Sequence, residues 1–281
     1  MGYKKHNNIC IRIGDVNMSE NLKENRLGEI KCNKDSLGKY KMKIIEYNNN
    51  RNIIIEFQDE YKAKVSTNYV NFQNGNIKNP YHPEIYNVGY IGQGRYKAYE
   101  GRKATISYSI WKDMLKRCYD PYYLNKRPTY INCYVYKEWY NFQNFAEWFE
   151  KNYYKIEGQL TCLDKDILCK GNKVYSPETC IFVPQRINNL FVKCDKLRGK
   201  YPIGVSMTNR NQLMVQCSIV IDGKQIIKKI GYFPLDKPFQ AFTVYKNFKE
   251  NYIKQVADEY KDLIPKELYD AMYNYEVEIN D

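Results

Sequence analysis

The chain has 281 residues, 43% of them hydrophobic, which is enough for two or three modest domains with apolar cores. Its 44 basic and 32 acidic side chains give a net charge of +12, which favours a polyanionic partner, nucleic acid first. No apolar run approaches the about twenty residues of a membrane helix, and no two of the nine cysteines form a C-x-x-C pair or a zinc-type cluster. We therefore expect a cytoplasmic protein with reduced thiols and no membrane partner.

Residues 1–24 are polar and weakly patterned, which predicts a tail. Residues 25–98 alternate between short apolar runs and turn signals, and this pattern predicts strands at 40–47, 52–57, 61–65, 68–72 and 75–77. Five short strands joined by tight turns predict a small β-barrel-like domain or a meander. The Gly-rich stretch 89–102 has no hydrophobic period and is interpreted as a linker that can lie on phosphate.

Residues 99–197 form the predicted central domain. Apolar residues at helical spacing predict helices at 105–119 and 142–152. We interpret the large rings of this region as core residues rather than as a stacking platform for bases; they are Trp111, Trp139, Phe142, Phe145 and Trp148.

The stretch 160–190 combines a strand, a polar loop, a second strand at 180–183 and a helix that opens at Pro184. Asp164 and Asp166 stand two residues apart, which puts both carboxylates on one face of a strand. Carboxylates and the amide of Asn188 facing inward would suit one divalent metal against a phosphate. The alternative is that the two aspartates only cap or solvate a hairpin.

The phrases LDKDI and GNKVYSPETCIFVPQRINNL resemble the core of HNH-type endonucleases carried by bacteriophages and mobile introns. The resemblance extends upstream to WKDMLKRCYD and covers about 107–193. It implies a ββα core in which Asp164, Asp166 and Asn188 hold Mg²⁺, and a metal-activated water attacks the phosphodiester. Arg117 and Arg186 are then expected to contact DNA.

The family's histidine base is missing, since His6 and His82 both lie outside the motif. Lys165 or Asp166 stands about where that base would be. Either the carboxylates and a metal carry hydrolysis, or the scaffold keeps only a DNA-binding role. The first choice of function is a DNA-binding protein that resembles an HNH endonuclease. The alternative function is a catalytically inactive DNA-binding regulator, or a phage anti-defence protein that binds a host nuclease.

Residues 198–262 read as three strands, with an Asp222-Gly223 hairpin turn, followed by an amphipathic helix with Asp236 as its N-cap. This order resembles the plant Apetala-type DNA-binding domain, whose sheet lies in the major groove. The resemblance implies base contacts from five side chains, Arg210, Gln212, Gln216, Lys228 and Lys229. The alternative is a merely solvated polar sheet face.

Residues 263–281 predict a helix at 266–273 and a further strand at 275–279. The whole chain is thus predicted to be α+β, with an N-terminal β-barrel-like domain, an HNH-like ββα core with flanking helices, and a C-terminal three-stranded sheet packed on one helix. The expected partner is double-stranded DNA, with a host protein as the other choice. The sequence sets no oligomeric state.

Overall fold

The computed structural model describes residues 25–192, 200–221 and 223–279. It is 35% helical and 26% strand, so the chain mixes helix and sheet as an α+β protein does. Two compact units are present. The first holds the described residues up to Leu115 together with Lys137–Ala146, and the second holds Lys116–Tyr136 and the described residues from Glu147 onward. The predicted tail at 1–24 lies outside the described residues.

An open antiparallel sheet in the order β1-β2-β3-β4 forms the first part of unit one. Its strands are β1 (Ile30–Cys32), β2 (Lys41–Asn49), β3 (Asn52–Phe57) and β4 (Lys64–Thr67). The barrel alternative was wrong, because closure requires the first and last strands to pair and here β1 and β4 are opposite edges. The sheet is the meander that the sequence offered as the other alternative. Alternate residues of β2 and β3 are buried and form the core of this sheet.

The strand predicted at 68–72 is instead helix α1 (Tyr69–Gln73). The Asn68 side chain explains the change, since its Oδ1 accepts a hydrogen bond from the Asn71 backbone N–H at 2.7 Å and caps the first turn. Phe72 is then fully buried in the core of the sheet. The stretch 75–77 forms no strand either.

Residues 89–102 are held in place rather than free to act as a linker. The buried Gln143 side chain donates to the carbonyl oxygens of Ile91 and Tyr96, at 3.2 and 3.0 Å, and accepts from the Tyr96 N–H at 3.0 Å. The segment ends in a short hairpin of β5 (Tyr99–Glu100) and β6 (Lys103–Ala104).

Helices α2 (Ile106–Tyr119) and α4 (Phe142–Asn152) form where the hydrophobic period predicts them. Within unit one, Trp111, Trp139, Phe142 and Phe145 are buried, which confirms their assignment to the core. Trp148, the fifth ring assigned to the core, is only half-buried. The Trp111 indole N–H donates to the Trp139 carbonyl at 2.7 Å, so this buried polar group is satisfied.

Unit two contains the hairpin of β8 (Thr161–Asp164) and β10 (Ile181–Pro184), followed by helix α5 (Gln185–Asn188). The other elements of this region are α3 (Pro121–Lys126) and the parallel pair β7 (Tyr134–Val135) and β9 (Val174–Tyr175). The strand predicted at 160–168 ends early at Asp164, where the chain turns.

The C-terminal part of unit two is a three-stranded antiparallel sheet in the order β11-β12-β13. Its strands are β11 (Val205–Met207), β12 (Leu213–Ile221) and β13 (Lys224–Phe233), and helix α6 (Pro238–Tyr260) packs on it. Asp222 of the expected turn lies outside the described residues. Asp236 is not the N-cap, because the helix begins after Lys237 without a side-chain cap and has Pro at its start.

Helix α7 (Lys266–Tyr273) forms as expected, but the strand predicted at 275–279 does not. Side chains of α6 satisfy this backbone instead of a neighbouring strand. The Val277 N–H donates to Glu250 Oε1 at 2.8 Å, and Lys246 Nζ donates to the Val277 carbonyl at 2.9 Å. Among the described helices none has both the length and the apolar character needed to cross a bilayer.

Candidate nucleic-acid interface and acidic turn

The two faces of the C-terminal sheet differ in character. Along β12 every second side chain is buried on the α6 side, namely Leu213, Val215, Cys217 and Ile219. Between them Gln216 and Ser218 point to the opposite face, which we call the outward face. Helix α6 packs on the other face, and Ser218 is exposed.

Strand pairing places polar side chains of β13 beside those of β12 on the outward face. Lys229 lies opposite Gln216 and Ile227 opposite Ser218. The Gln225 amide donates to Ser218 Oγ at 2.7 Å, which fixes both side chains. Amides, a hydroxyl and an ammonium are the groups that read base edges in the major groove, and apolar groups contact the thymine methyl.

Two exposed apolar side chains complete the outward face. Ile227 is 66% exposed and Tyr232 is 54% exposed, and Tyr232 lies opposite Met214. A sheet face with this mixture of apolar and hydrogen-bonding groups is suited to binding a surface with both methyl groups and polar edges.

Lys228 lies on the other side of the sheet from Lys229. Its Nζ is 5.2 Å from the centre of the Phe248 ring on α6, so its ammonium packs against the helix. The five residues expected to contact bases therefore do not all lie on one face of the sheet. Arg210 and Gln212 are exposed in the turn before β12, and Gln212 has the strand parity of Gln216.

Asp164 forms a tight turn at the end of β8. Its Oδ1 accepts hydrogen bonds from the backbone N–H groups of Asp166 and Ile167, at 2.9 and 2.8 Å. Burial raises the pKa of the Asp164 carboxyl, and the neighbouring Asp166 carboxylate raises that pKa further. Asp164 and Asp166 are therefore close, as expected, although only Asp164 belongs to the strand.

Lys165 supplies a positive charge inside this turn, a role that sequence reasoning missed. It is 7% exposed, and its Nζ donates to Asp166 Oδ2 at 3.1 Å and to the Asn172 carbonyl at 2.9 Å. The Asn172 amide in turn donates to the carbonyls of Lys165 and Val174, at 2.6 and 2.7 Å. Asn172 thus holds the loop in place.

The third expected metal ligand, Asn188, is the half-buried last residue of α5. Among the described residues it is hydrogen-bonded to neither aspartate, and no cluster of three His, Cys, Asp or Glu side chains suited to a metal occurs there. One oxygen each of Asp164 and Asp166 is already bonded. The Lys165 ammonium already balances the charge of Asp166, so the described residues do not form a ready-made cage for a metal ion.

The two arginines expected on DNA have partners within the protein. The Arg186 Nη2 donates to Glu259 Oε2 at 2.5 Å, and its guanidinium lies 5.5 Å from the centre of the Tyr260 ring. The Arg117 guanidinium lies 5.9 Å from the centre of the Tyr130 ring. Both side chains are half-buried, so phosphate would have to compete with these contacts.

No protein-family model, no curated protein and no solved structure matches this chain. The likeness to HNH endonucleases and to Apetala-type domains stays a prediction from the sequence.

Proposed function

We propose that the protein binds double-stranded DNA and that the outward face of the sheet β11-β12-β13 reads the duplex. The observation that carries this proposal is the outward face itself. It presents Gln216, Ser218, Gln225 and Lys229 side by side, while α6 packs on the opposite face. A two- or three-stranded sheet fits the width of the major groove.

The charge of the chain supports a nucleic-acid partner. With 44 basic and 32 acidic side chains, the protein attracts the phosphate backbone whatever the base sequence. Backbone attraction provides affinity, and the polar groups of the outward face would provide the preference for particular bases.

Cleavage is less well supported than binding. Lys165, which stands near the position of the missing base, has its Nζ bonded to Asp166 and to the Asn172 carbonyl, so it is committed to the turn. If Mg²⁺ binds at Asp164 and Asp166, it would polarise a phosphate there. We favour a DNA-binding regulator that keeps the frame of a nuclease, with a protein that binds a host nuclease as the alternative.

Two neighbouring lysines provide a matched test of the outward face. Lys229→Gln and Lys228→Gln remove the same charge from adjacent positions on opposite faces of β13. We expect Lys229→Gln to weaken binding to a selected target duplex by about tenfold, since a good base contact contributes about 1–3 kcal/mol. Lys228→Gln should change that affinity less than threefold or so, because its ammonium packs on Phe248.

Fluorescence anisotropy with the full chain measures both affinities after selection of a target from a random duplex pool. Equal losses for the two variants would show that the outward face does not read DNA. Absence of duplex binding by the wild type would leave the protein-binding alternative.

A further inference from the structure

An open cleft of about 980 Å³ lies within unit two, away from the acidic turn. It is bordered by α5 and the turn after it, by the β12–β13 hairpin, by α6 and by the segment after α7. Its volume is at the upper end of the range for small-molecule sites, roughly 300–1,000 Å³. The charges and rings of its lining indicate what kind of molecule it would take.

The charged groups of the cleft are all basic. Lys249 of α6 and Arg186 of α5 line it, and no Asp or Glu of the described residues does. Although the Arg186 Nη2 is bonded to Glu259, its Nε is buried and meets no acceptor among the described residues. The guanidinium as a whole is partly exposed and brings positive charge to the edge of the cleft.

Lys249 lacks a counter-charge in the described part of the chain. No hydrogen bond or ion pair joins its Nζ to a described residue, and burial lowers the pKa of its ammonium. The one titratable neighbour acting on it is the thiol of Cys217, which also lines the cleft. An ammonium in such a place is stabilised by an anion that enters the cleft.

Aromatic rings form much of the remaining lining. Phe191 and Tyr275 contact each other with ring centres 4.7 Å apart. Tyr252 is held by its hydroxyl, which accepts from the Val220 N–H at 2.7 Å, so its ring has a fixed position. Fixed rings beside amide side chains such as Gln159 and Gln185 suit a flat, partly polar body.

We propose that this cleft binds a small organic phosphate that carries a ring, of which a nucleoside monophosphate is the simplest form. The phosphate contacts Lys249 beside the partly exposed guanidinium of Arg186, and the ring lies against the aromatic lining, which includes Tyr252. Two cationic groups favour a dianion over a single carboxylate. The proposal goes beyond DNA binding, because Lys249 is on α6 and not on the outward face, although Ser218 and Gln225 border both the cleft and that face.

The test uses the full-length protein without DNA and three probes: adenosine monophosphate, inorganic phosphate and adenosine. Calorimetry and thermal melting should show the tightest binding and the largest stabilisation for adenosine monophosphate. Phosphate alone and adenosine alone should each bind more weakly, since each retains half of the contacts. Equal affinity for adenosine and its monophosphate, or binding of none at millimolar concentration, would overturn the proposal.

Lys249→Gln should weaken binding of adenosine monophosphate by at least about tenfold, the loss expected for one charged hydrogen bond. Lys249→Arg keeps the charge and should retain most of the affinity. The matched control is Lys254→Gln on the same helix, whose ammonium lies 5.5 Å from the centre of the Tyr273 ring and does not line the cleft. An equal loss in Lys249→Gln and Lys254→Gln would contradict the site. If Lys249→Gln fails to fold, the comparison of the three probes on the wild type still decides whether the cleft binds a nucleoside monophosphate.

Discussion

Lys228 and Lys229 have the same chemistry and neighbouring positions, yet their surroundings differ completely. Lys229 stands beside Gln216 on the outward face, whereas Lys228 packs over Phe248. The difference follows from the period of two along a strand, which sends successive side chains to opposite faces. At the residue scale the face on which a charge lies, rather than the charge alone, therefore decides what it can bind.

Asp164→Asn tests the charge of the acidic turn. The amide oxygen of asparagine can still accept from the Asp166 and Ile167 N–H groups, so the turn is kept and the buried negative charge is lost. Because the pKa of Asp164 is raised in the folded state, the folded protein binds more protons than the unfolded chain between the two pKa values. The carboxylate therefore costs stability above the folded pKa, and that cost disappears as the pH falls.

We expect Asp164→Asn to increase the free energy of unfolding at neutral pH and to lose this advantage in acid. Denaturant titrations of the wild type and of Asp164→Asn at several pH values measure this difference in stability. Asp164→Ala is the control, because it also removes the oxygen that accepts the two backbone hydrogen bonds. A less stable Asp164→Asn at neutral pH would mean that the negative charge is favourable there, as it would be beside a bound cation.

Lys165→Met tests the internal ammonium. It removes the hydrogen bonds to Asp166 Oδ2 and to the Asn172 carbonyl. We expect a loss of about 2 kcal/mol in the free energy of unfolding, the range for hydrogen bonds to a charged group. Lys173→Met, a change at an exposed neighbour, is the control and should have little effect. Equal stability of the two variants would show that the turn does not depend on Lys165.

At the scale of elements, Gln143 of α4 ties down the segment that contains Ile91 and Tyr96. Gln143→Leu keeps the size of the side chain but leaves these backbone groups unpaired. We expect a loss of about 1–3 kcal/mol and a large increase in hydrogen exchange at the Tyr96 amide. Unchanged exchange at Tyr96 would show that other contacts hold the segment.

The sequence predicts elements well where the hydrophobic period is long. The pair β2–β3 and the helices α2 and α4 are found close to their predicted bounds, and three strands form within 198–262 as predicted. Predictions for short segments are less successful, because one side chain can determine whether the segment is a helix or a strand. The five residues after Asn68 could equally form a strand, but the Asn68 side chain caps them as a helix. Likewise, Glu250 and Lys246 form hydrogen bonds with the backbone of Val277, so the predicted last strand does not need a partner strand.

The candidate site could be foreseen only in part. The spacing of Asp164 and Asp166 predicts one strand face, but the strand ends at Asp164 and a turn brings the two residues together. The commitment of their oxygens to Lys165 and to backbone N–H groups does not follow from the spacing either. For the sheet, the alternation of side chains along a strand predicts that Lys228 and Lys229 lie on opposite faces. It does not predict which of the two lies on the α6 side. The register shift between Val215 and Gln216 is a further feature that periodicity does not locate.

At the scale of the whole molecule, DNA binding and DNA cleavage are tested by separate experiments. We expect the wild type with Mg²⁺ or Mn²⁺ to leave supercoiled plasmid intact, because the motif has no histidine and Lys165 is occupied as a donor. Gel analysis of plasmid after long incubation measures this outcome. Metal-dependent nicking that Asp164→Ala abolishes would contradict it and would make the protein a nuclease.

The net charge of +12 makes the salt dependence of duplex affinity the most direct test of the central claim that DNA is the partner. The measurement is the anisotropy of a labelled duplex titrated with full-length protein between about 50 and 200 mM salt, the span over which released counterions have a large effect. We predict a linear fall of log affinity with log salt, about a hundredfold across this range for four phosphate contacts. An affinity that stays flat, or no binding at low salt, would contradict the account.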